Sequence, residues 1–285
     1  MKKYRGLKIT ILIILAVITI GAIGYGINRH VFTFVSGCGG PADVGPIENK
    51  EIAITDMSFD SVQVNMDISQ LTIQKGDELS LVYEMPSGLV PDVTVDRNTL
   101  VIKSRNKLHF SFPHFNQEYK LILTIPENKD MDELDIDIDL GDVRIYDVNC
   151  KKLAVKADCG NVQIKGIVAK DIALEAKFGN IEGEKIACQD FNGTLNAGNL
   201  HMNGLQAETI TAEADMGNVE FNDTFFKSGN FEADLGDIQI RGDAEEIEAK
   251  CDLGGIVIET KSSEDEMKLK LKVSLGEITV NGRKW

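Results

Sequence analysis

Leu134-Asp135-Ile136-Asp137-Ile138-Asp139-Leu140-Gly141-Asp142-Val143-Arg144-Ile145 returns nineteen residues later as Leu153-Ala154-Val155-Lys156-Ala157-Asp158-Cys159-Gly160-Asn161-Val162-Gln163-Ile164. The frame continues through eight glycines, Gly141, Gly160, Gly179, Gly198, Gly217, Gly236, Gly254 and Gly276, at steps of 19, 19, 19, 19, 19, 18 and 22 residues. A fixed period near 20 residues marks a stacked repeat, in which each unit covers its apolar side only against its neighbours.

Within a unit, alternate residues before the glycine are apolar: Leu134, Ile136, Ile138 and Leu140 in the first, Leu153, Val155, Ala157 and Cys159 in the second. Side chains two apart share a strand face, so the columns seven, five, three and one before the glycine form an inward ladder. After the glycine the parity flips, to Val143 and Ile145, Val162 and Ile164, Val219 and Phe221, Ile238 and Ile240. A flip of alternation marks a corner. The corner pairs are Gly141-Asp142, Gly160-Asn161, Gly179-Asn180, Gly198-Asn199, Gly217-Asn218 and Gly236-Asp237, followed by Gly254 and Gly276. Gly accepts positive φ, and Asn and Asp tolerate the left-handed region better than other residues, so the pairs read as conformational devices. The predicted fold is all-β: a β-solenoid of about eight ~19-residue coils, about 40 Å long at ~4.8 Å per coil.

Five segments follow from composition. Residues 1–8 are a basic tail, and 9–27 an apolar run without charge, long enough to span ~30 Å of hydrocarbon. Lys2, Lys3, Arg5 and Lys8 before it place the N-terminus in the cytoplasm and the body across the membrane. An uncleaved transmembrane helix is the expectation, with the lipid bilayer as a partner. Simple secretion is one alternative. Another is lipoprotein processing, since Val35-Ser36-Gly37-Cys38 spells a lipidation box with Cys38 as acceptor. Residues 28–50, rich in Gly and Pro, read as a stalk. Residues 51–130 alternate in short strand-like runs such as Val62, Val64, Met66 and Leu121, Leu123, Ile125. The repeats occupy 131–285.

The formal charge is −15, yet the first thirty residues carry five basic side chains and no acid, leaving −20 on the remainder. Such a body repels nucleic acid, which is excluded as a partner. Cys159 and Cys251 fall in inward columns. Cys150 and Cys188 share a column two coils apart, about 9–10 Å, too far for a disulfide, so all four are expected as buried free thiols.

With the Gly-[Asn/Asp]-[Val/Ile] corners in place, the chain resembles the "putative adhesin" family of β-strand-repeat proteins. The matching residues are Leu121-Ile122-Leu123-Thr124-Ile125-Pro126, Leu140-Gly141-Asp142-Val143, Cys159-Gly160-Asn161-Val162, Met216-Gly217-Asn218-Val219 and Leu235-Gly236-Asp237-Ile238. The resemblance covers about residues 50–285. It implies a bacterial cell-envelope protein, in a family that includes LiaG-like accessory proteins of envelope-stress systems. It brings no catalytic residues.

Residue chemistry points the same way. The chain has no phosphate loop, nucleophile elbow or His-Glu-x-x-His pair. His109 and His114 flank an aromatic-rich segment without a complete ligand set. Asp139, Asp158, Asp215, Asp234 and Asp252 share the position two before the glycine, but Lys177 and Asn196 break the column, which reads as a solvated acidic face, with Ca²⁺ binding by the stacked carboxylates as the alternative. Arg241-Gly242-Asp243 reads as an ordinary turn. No cofactor and no metal are expected. The function expected is binding to an envelope protein or glycan without catalysis, the alternatives being a β-helical polysaccharide-active enzyme and a structural spacer.

Overall fold

The computed structural model describes residues 45–54, 58–105, 119–260 and 267–285. The expected membrane helix, Cys38, His109 and His114 lie outside the described residues. Among the described residues no helix is long and apolar enough to cross a membrane.

The first part of the chain supplies β1 (Ile47–Ala53), β2 (Ser61–Ile68), β3 (Gln70–Gly76), β4 (Ser80–Pro86), β5 (Asp92–Asp96), β6 (Thr99–Lys103) and β7 (Lys120–Pro126). The repeats follow as β8 (Met131–Leu140), β9 (Val143–Tyr146), β10 (Cys150–Cys159), β11 (Val162–Lys165), β12 (Asp171–Phe178), β13 (Ile181–Ala187) and β14 (Asp190–Ala197). Three long bent strands come next, β15 (Leu200–Met216), β16 (Val219–Leu235) and β17 (Ile238–Leu253). The chain ends with β18 (Ile256–Glu259), β19 (Lys268–Leu275), β20 (Ile278–Val280) and β21 (Arg283–Lys284).

Each coil has a long wall before the corner glycine and a shorter wall after it. Successive long walls pair in parallel with a strict one-period register, Leu153 beside Leu134 and Ile172, Val155 beside Ile136 and Leu174. The short walls do the same, Val143 beside Val162 and Val162 beside Ile181. Inward residues therefore stack on their own kind, and the eight coils form a β-solenoid with a continuous core. Leu134, Leu153, Val143, Val162, Ile181 and Ile238 are all fully buried.

A further rung precedes these coils. β2 pairs in parallel with β8 and β3 with β9, so Ile68-Ser69-Gln70 stands where a glycine corner would. On the outer side of this rung lie β6 and β7, followed by the antiparallel strands β5 on the long wall and β4 then β1 on the short wall.

Bulk is traded between neighbouring coils. Phe191, Phe221, Phe231 and Phe226 form a chain of ring contacts with centroids 6.1, 5.1 and 5.7 Å apart. Gly193 and Gly229 occupy inward positions beside them. A Cβ on Gly229 would stand 2.4 Å from the Phe231 ring and 2.6 Å from Phe226. These two glycines make room for aromatic neighbours, whereas the corner glycines answer a backbone demand.

Candidate functional site

The corner is the most regular feature of the stack, and two constraints act on its glycines, the expected positive φ and a close approach of backbone. Seven of the eight corner glycines have φ between +130° and +155°, Gly160 being the exception. The second and stronger constraint is closeness. A Cβ at Gly160, Gly179, Gly198, Gly217, Gly236, Gly254 or Gly276 would meet the carbonyl oxygen of the preceding corner glycine at 1.5–2.1 Å. Ser69, at the head of the column, has no glycine corner beneath it and can carry a side chain.

Asn161, Asn180, Asn199, Asn218, Asp142 and Asp237 are not at positive φ. Their work is hydrogen bonding. The main-chain N–H of Asn161 donates to Asp142 Oδ1, that of Asn180 to Asn161, Asn199 to Asn180, Asn218 to Asn199, Asp237 to Asn218 and Gly255 to Asp237, all at 2.7–3.0 Å. An amide or carboxylate oxygen one residue past the glycine thus satisfies a backbone donor in the next coil, which a corner otherwise leaves exposed. Left-handed backbone falls instead at a second corner, six residues past the glycine: Asp147, Gly166, Lys185, Gly204 and Asp223 have φ of +49° to +72°. The mixed chemistry of that column hid it from the periodicity.

The column immediately before the glycine faces outward, contrary to the alternation. Phe178 is 62% exposed, Leu275 66%, Leu253 40%, Met216 39% and Leu235 37%. Cys159 is exposed as well, so only three of the four thiols expected inside are shielded. The reason is a kink before the glycine. The pairing runs Ala157–Ala176 and then Cys159–Phe178, skipping Asp158 and Lys177, and the same skip recurs in every coil. The local irregularity turns two successive side chains away from the core.

The result is a line of apolar residues, Leu140, Cys159, Phe178, Ala197, Met216, Leu235, Leu253 and Leu275, each beside the next and exposed except at the half-buried Leu140, which still packs on the core, and Ala197. At ~4.8 Å per step it runs for roughly 35 Å. One border is the acidic column, Asp139, Asp158, Asp215, Asp234 and Asp252, interrupted by Lys177, which reaches Asp158 at 2.8 Å. Burial, with the like charges of Asp158, Asp67 and Asp137, pushes the Asp139 carboxyl above its ordinary value. The other border is the Asn ladder.

Two shallow hollows lie on the outer surface of the coils. One, of about 240 Å³, lies on the outer face of the long wall among Asp135, Asp137, Lys156, Glu175 and the small Ala154 and Ala173. The other, of about 260 Å³, borders the Asn ladder at Arg144, Gln163 and Glu182. Among the described residues no group of three or more His, Cys, Asp or Glu side chains is placed to hold a metal ion. Arg241-Gly242-Asp243 lies within β17 at a register shift rather than on a turn. Arg241 is held by Glu259 at 2.8 Å and Asn222 at 3.0 Å, while Asp243 accepts from the Thr260 hydroxyl at 3.2 Å.

The repeat geometry is that of a catalogued family, whose model, described as Toastrack DUF4097, matches residues 54–284. The chain belongs to the Toastrack family. No curated protein matches it. Solved structures share the fold at low identity. A Parabacteroides distasonis protein described as a "putative lipid binding protein" superposes with a TM-score of 0.59 at 16% identity, over 83% of this chain and 97% of its own. A "putative adhesin" from Parabacteroides merdae gives 0.57 at 13% identity, over 83% and 96%. A "putative adhesin" from Bacteroides fragilis gives 0.52 at 16%, over 82% and 97%. Similarity at this level establishes the Toastrack fold and leaves the ligand to the chemistry of the surface.

Proposed function

We propose that the protein is a non-catalytic surface-binding module of the bacterial cell envelope. In this reading residues 9–27 tether it to the membrane, and the solenoid is displayed outside the cytoplasm to contact an envelope protein or glycan, in adhesion or as an accessory to envelope-stress signalling. The observation that carries the reading is the outward apolar column. Six of the eight coils expose the side chain at this position, Cys159, Phe178, Met216, Leu235, Leu253 and Leu275, between the acidic column and the corner glycines with their Asn ladder. Apolar surface exposed in a continuous strip is characteristic of a contact surface. The adhesin descriptions of its structural neighbours agree with a contact role.

A photoreactive residue at position 178 or 216 of the full-length protein, activated in its own membrane, is expected to give discrete adducts. Absence of any adduct at both positions, with the fold intact, would refute the contact role. The tether is tested by single cysteines at the two ends and a membrane-impermeant maleimide. Labelling from outside is expected at the C-terminal end and not at the N-terminal one.

A second reading, contact with lipid acyl chains, draws on the same apolar column and on the lipid-binding description of one neighbour. The bordering Asp215, Asp234 and Asp252 oppose anionic headgroups, so this reading predicts binding to zwitterionic rather than anionic vesicles.

A further inference from the structure

Among the described residues, the coil that carries β19 and β20 is closed on one wall and open on the other. On the short wall β21 folds back antiparallel on β20 through Asn281-Gly282, both at positive φ (+48° and +73°), the geometry of a type I′ hairpin turn. On the long wall β19 pairs with β17 on one side, and among the described residues no strand pairs with its other edge. Its inward residues Leu269, Leu271 and Val273 are only partly buried, unlike Ile247, Ala249 and Cys251 directly beside them, which are fully covered. A row of unpaired backbone donors and acceptors, backed by half-exposed apolar side chains, is the surface to which an extended chain adds as a further strand.

The outward side chains state what kind of strand fits. In the first coil these positions are Glu133, Asp135 and Asp137, and in the last they are Lys268, Lys270 and Lys272. Lys270 leans back to Glu246 and Glu248 at 3.2 and 3.3 Å, whereas Lys268 and Lys272 make no ion pair among the described residues. Three lysines along one edge oppose pairing with a second copy of the same edge, where lysine would face lysine. They favour a strand with acids at the outward positions. We propose that the free edge of β19 is a docking site for an extended polypeptide segment in which acidic and apolar residues alternate. Its acids would face Lys268, Lys270 and Lys272, and its apolar residues would cover Leu269, Leu271 and Val273. The apolar column touches this surface only at Leu275, the last residue of β19, outside the stretch from Lys268 to Val273 that the strand would cover, so either can fail without the other.

The probe is a capped synthetic peptide with the sequence Glu-Leu-Asp-Ile-Asp-Ile-Asp-Leu, titrated into the full-length protein and followed by fluorescence anisotropy. Saturable binding is expected, weakened at least about tenfold by Lys268→Glu/Lys270→Glu/Lys272→Glu or by about 0.5 M salt. N-methylation of one alternate set of peptide residues should abolish binding, while methylation of the other set leaves it intact, because alternate amides of an added strand point toward β19. The peptide arms use the unaltered protein and stand even where the triple variant misfolds. Three results would overturn the proposal: no saturation by about 1 mM peptide, equal binding of a scrambled acidic peptide, or concentration-dependent self-association that the peptide does not displace. The last would assign the edge to a second copy.

Discussion

Gly217→Ala tests the reasoning about the corner most directly. The added Cβ would stand 1.5 Å from the Gly198 carbonyl oxygen, in a residue with φ of +143°. Real Cβ contacts begin near 3.0 Å, so the two corners must separate by on the order of 1.5 Å. Three hydrogen bonds join them: Gly198 N–H to Met216 O at 2.9 Å, Leu200 N–H to Asn218 O at 2.9 Å, and Asn218 N–H to Asn199 Oδ1 at 3.0 Å. Stretching all three past bonding distance costs about 3 kcal/mol at about 1 kcal/mol each. Strain at positive φ adds about 1 kcal/mol, for a total of about 4. Gly204 supplies the control. Its φ is +72°, but a Cβ there would find nothing nearer than 3.7 Å, and Lys185 and Asp223 occupy the equivalent place in the adjacent coils. Gly204→Ala should therefore cost about 1 kcal/mol. Urea unfolding followed by far-UV circular dichroism compares the two. Losses that agree within about 1 kcal/mol would show that close approach is not what the corner glycine serves.

Other positions give separable outcomes. Gly229→Ala, wedged against Phe231 and Phe226, should lose about 1–3 kcal/mol by overpacking, and Gly229→Ala combined with Phe231→Leu should recover part of it in the same unfolding assay. Asn199→Leu removes the acceptor for the Asn218 N–H and should cost about 1–3 kcal/mol, whereas Asn199→Asp keeps an acceptor and should cost less than half as much. Among the described thiols, Cys159 should react first with a maleimide in the native protein, with Cys150, Cys188 and Cys251 protected until unfolding; equal rates would contradict the burial. Burial pushes the Cys150 and Cys188 thiols up to about 12, so their contribution is intact below the unfolded value of about 8.5 and is lost as pH rises toward 12. Replacing both with Ala should flatten the alkaline fall in stability, as read from unfolding curves between those limits.

The repeat was legible because a strict period imposes itself on many residues at once. Leu134, Leu153 and Ile172 are inward both by alternation and in the structure. Alternation failed at Cys159 and Phe178 because it assumes a flat strand, and the kink lies one residue earlier than the glycine suggests. The Asn ladder is ambiguous in sequence for a different reason. Asn is compatible with left-handed backbone and with a stacked acceptor, and composition alone does not separate the two. The rung at Ile68-Ser69-Gln70 lies outside the glycine period because its corner has Ser69 where the others have glycine. Asn281-Gly282 was readable as a hairpin turn from the dipeptide alone, but it falls outside the repeat frame. The edge of β19 belongs to topology: Lys268, Lys270 and Lys272 look like any solvated face until β19 is seen to pair on one side only among the described residues.

The in-register stacking of identical columns makes the solenoid a ruler. Because each coil touches only the coils beside it, one 19-residue unit can be added or removed without re-matching either end. Every such step would move the C-terminal strand edge by ~4.8 Å and lengthen the apolar line by one side chain. Evolution could thereby set how far this protein reaches by counting coils, while the chemistry of its two ends is left untouched.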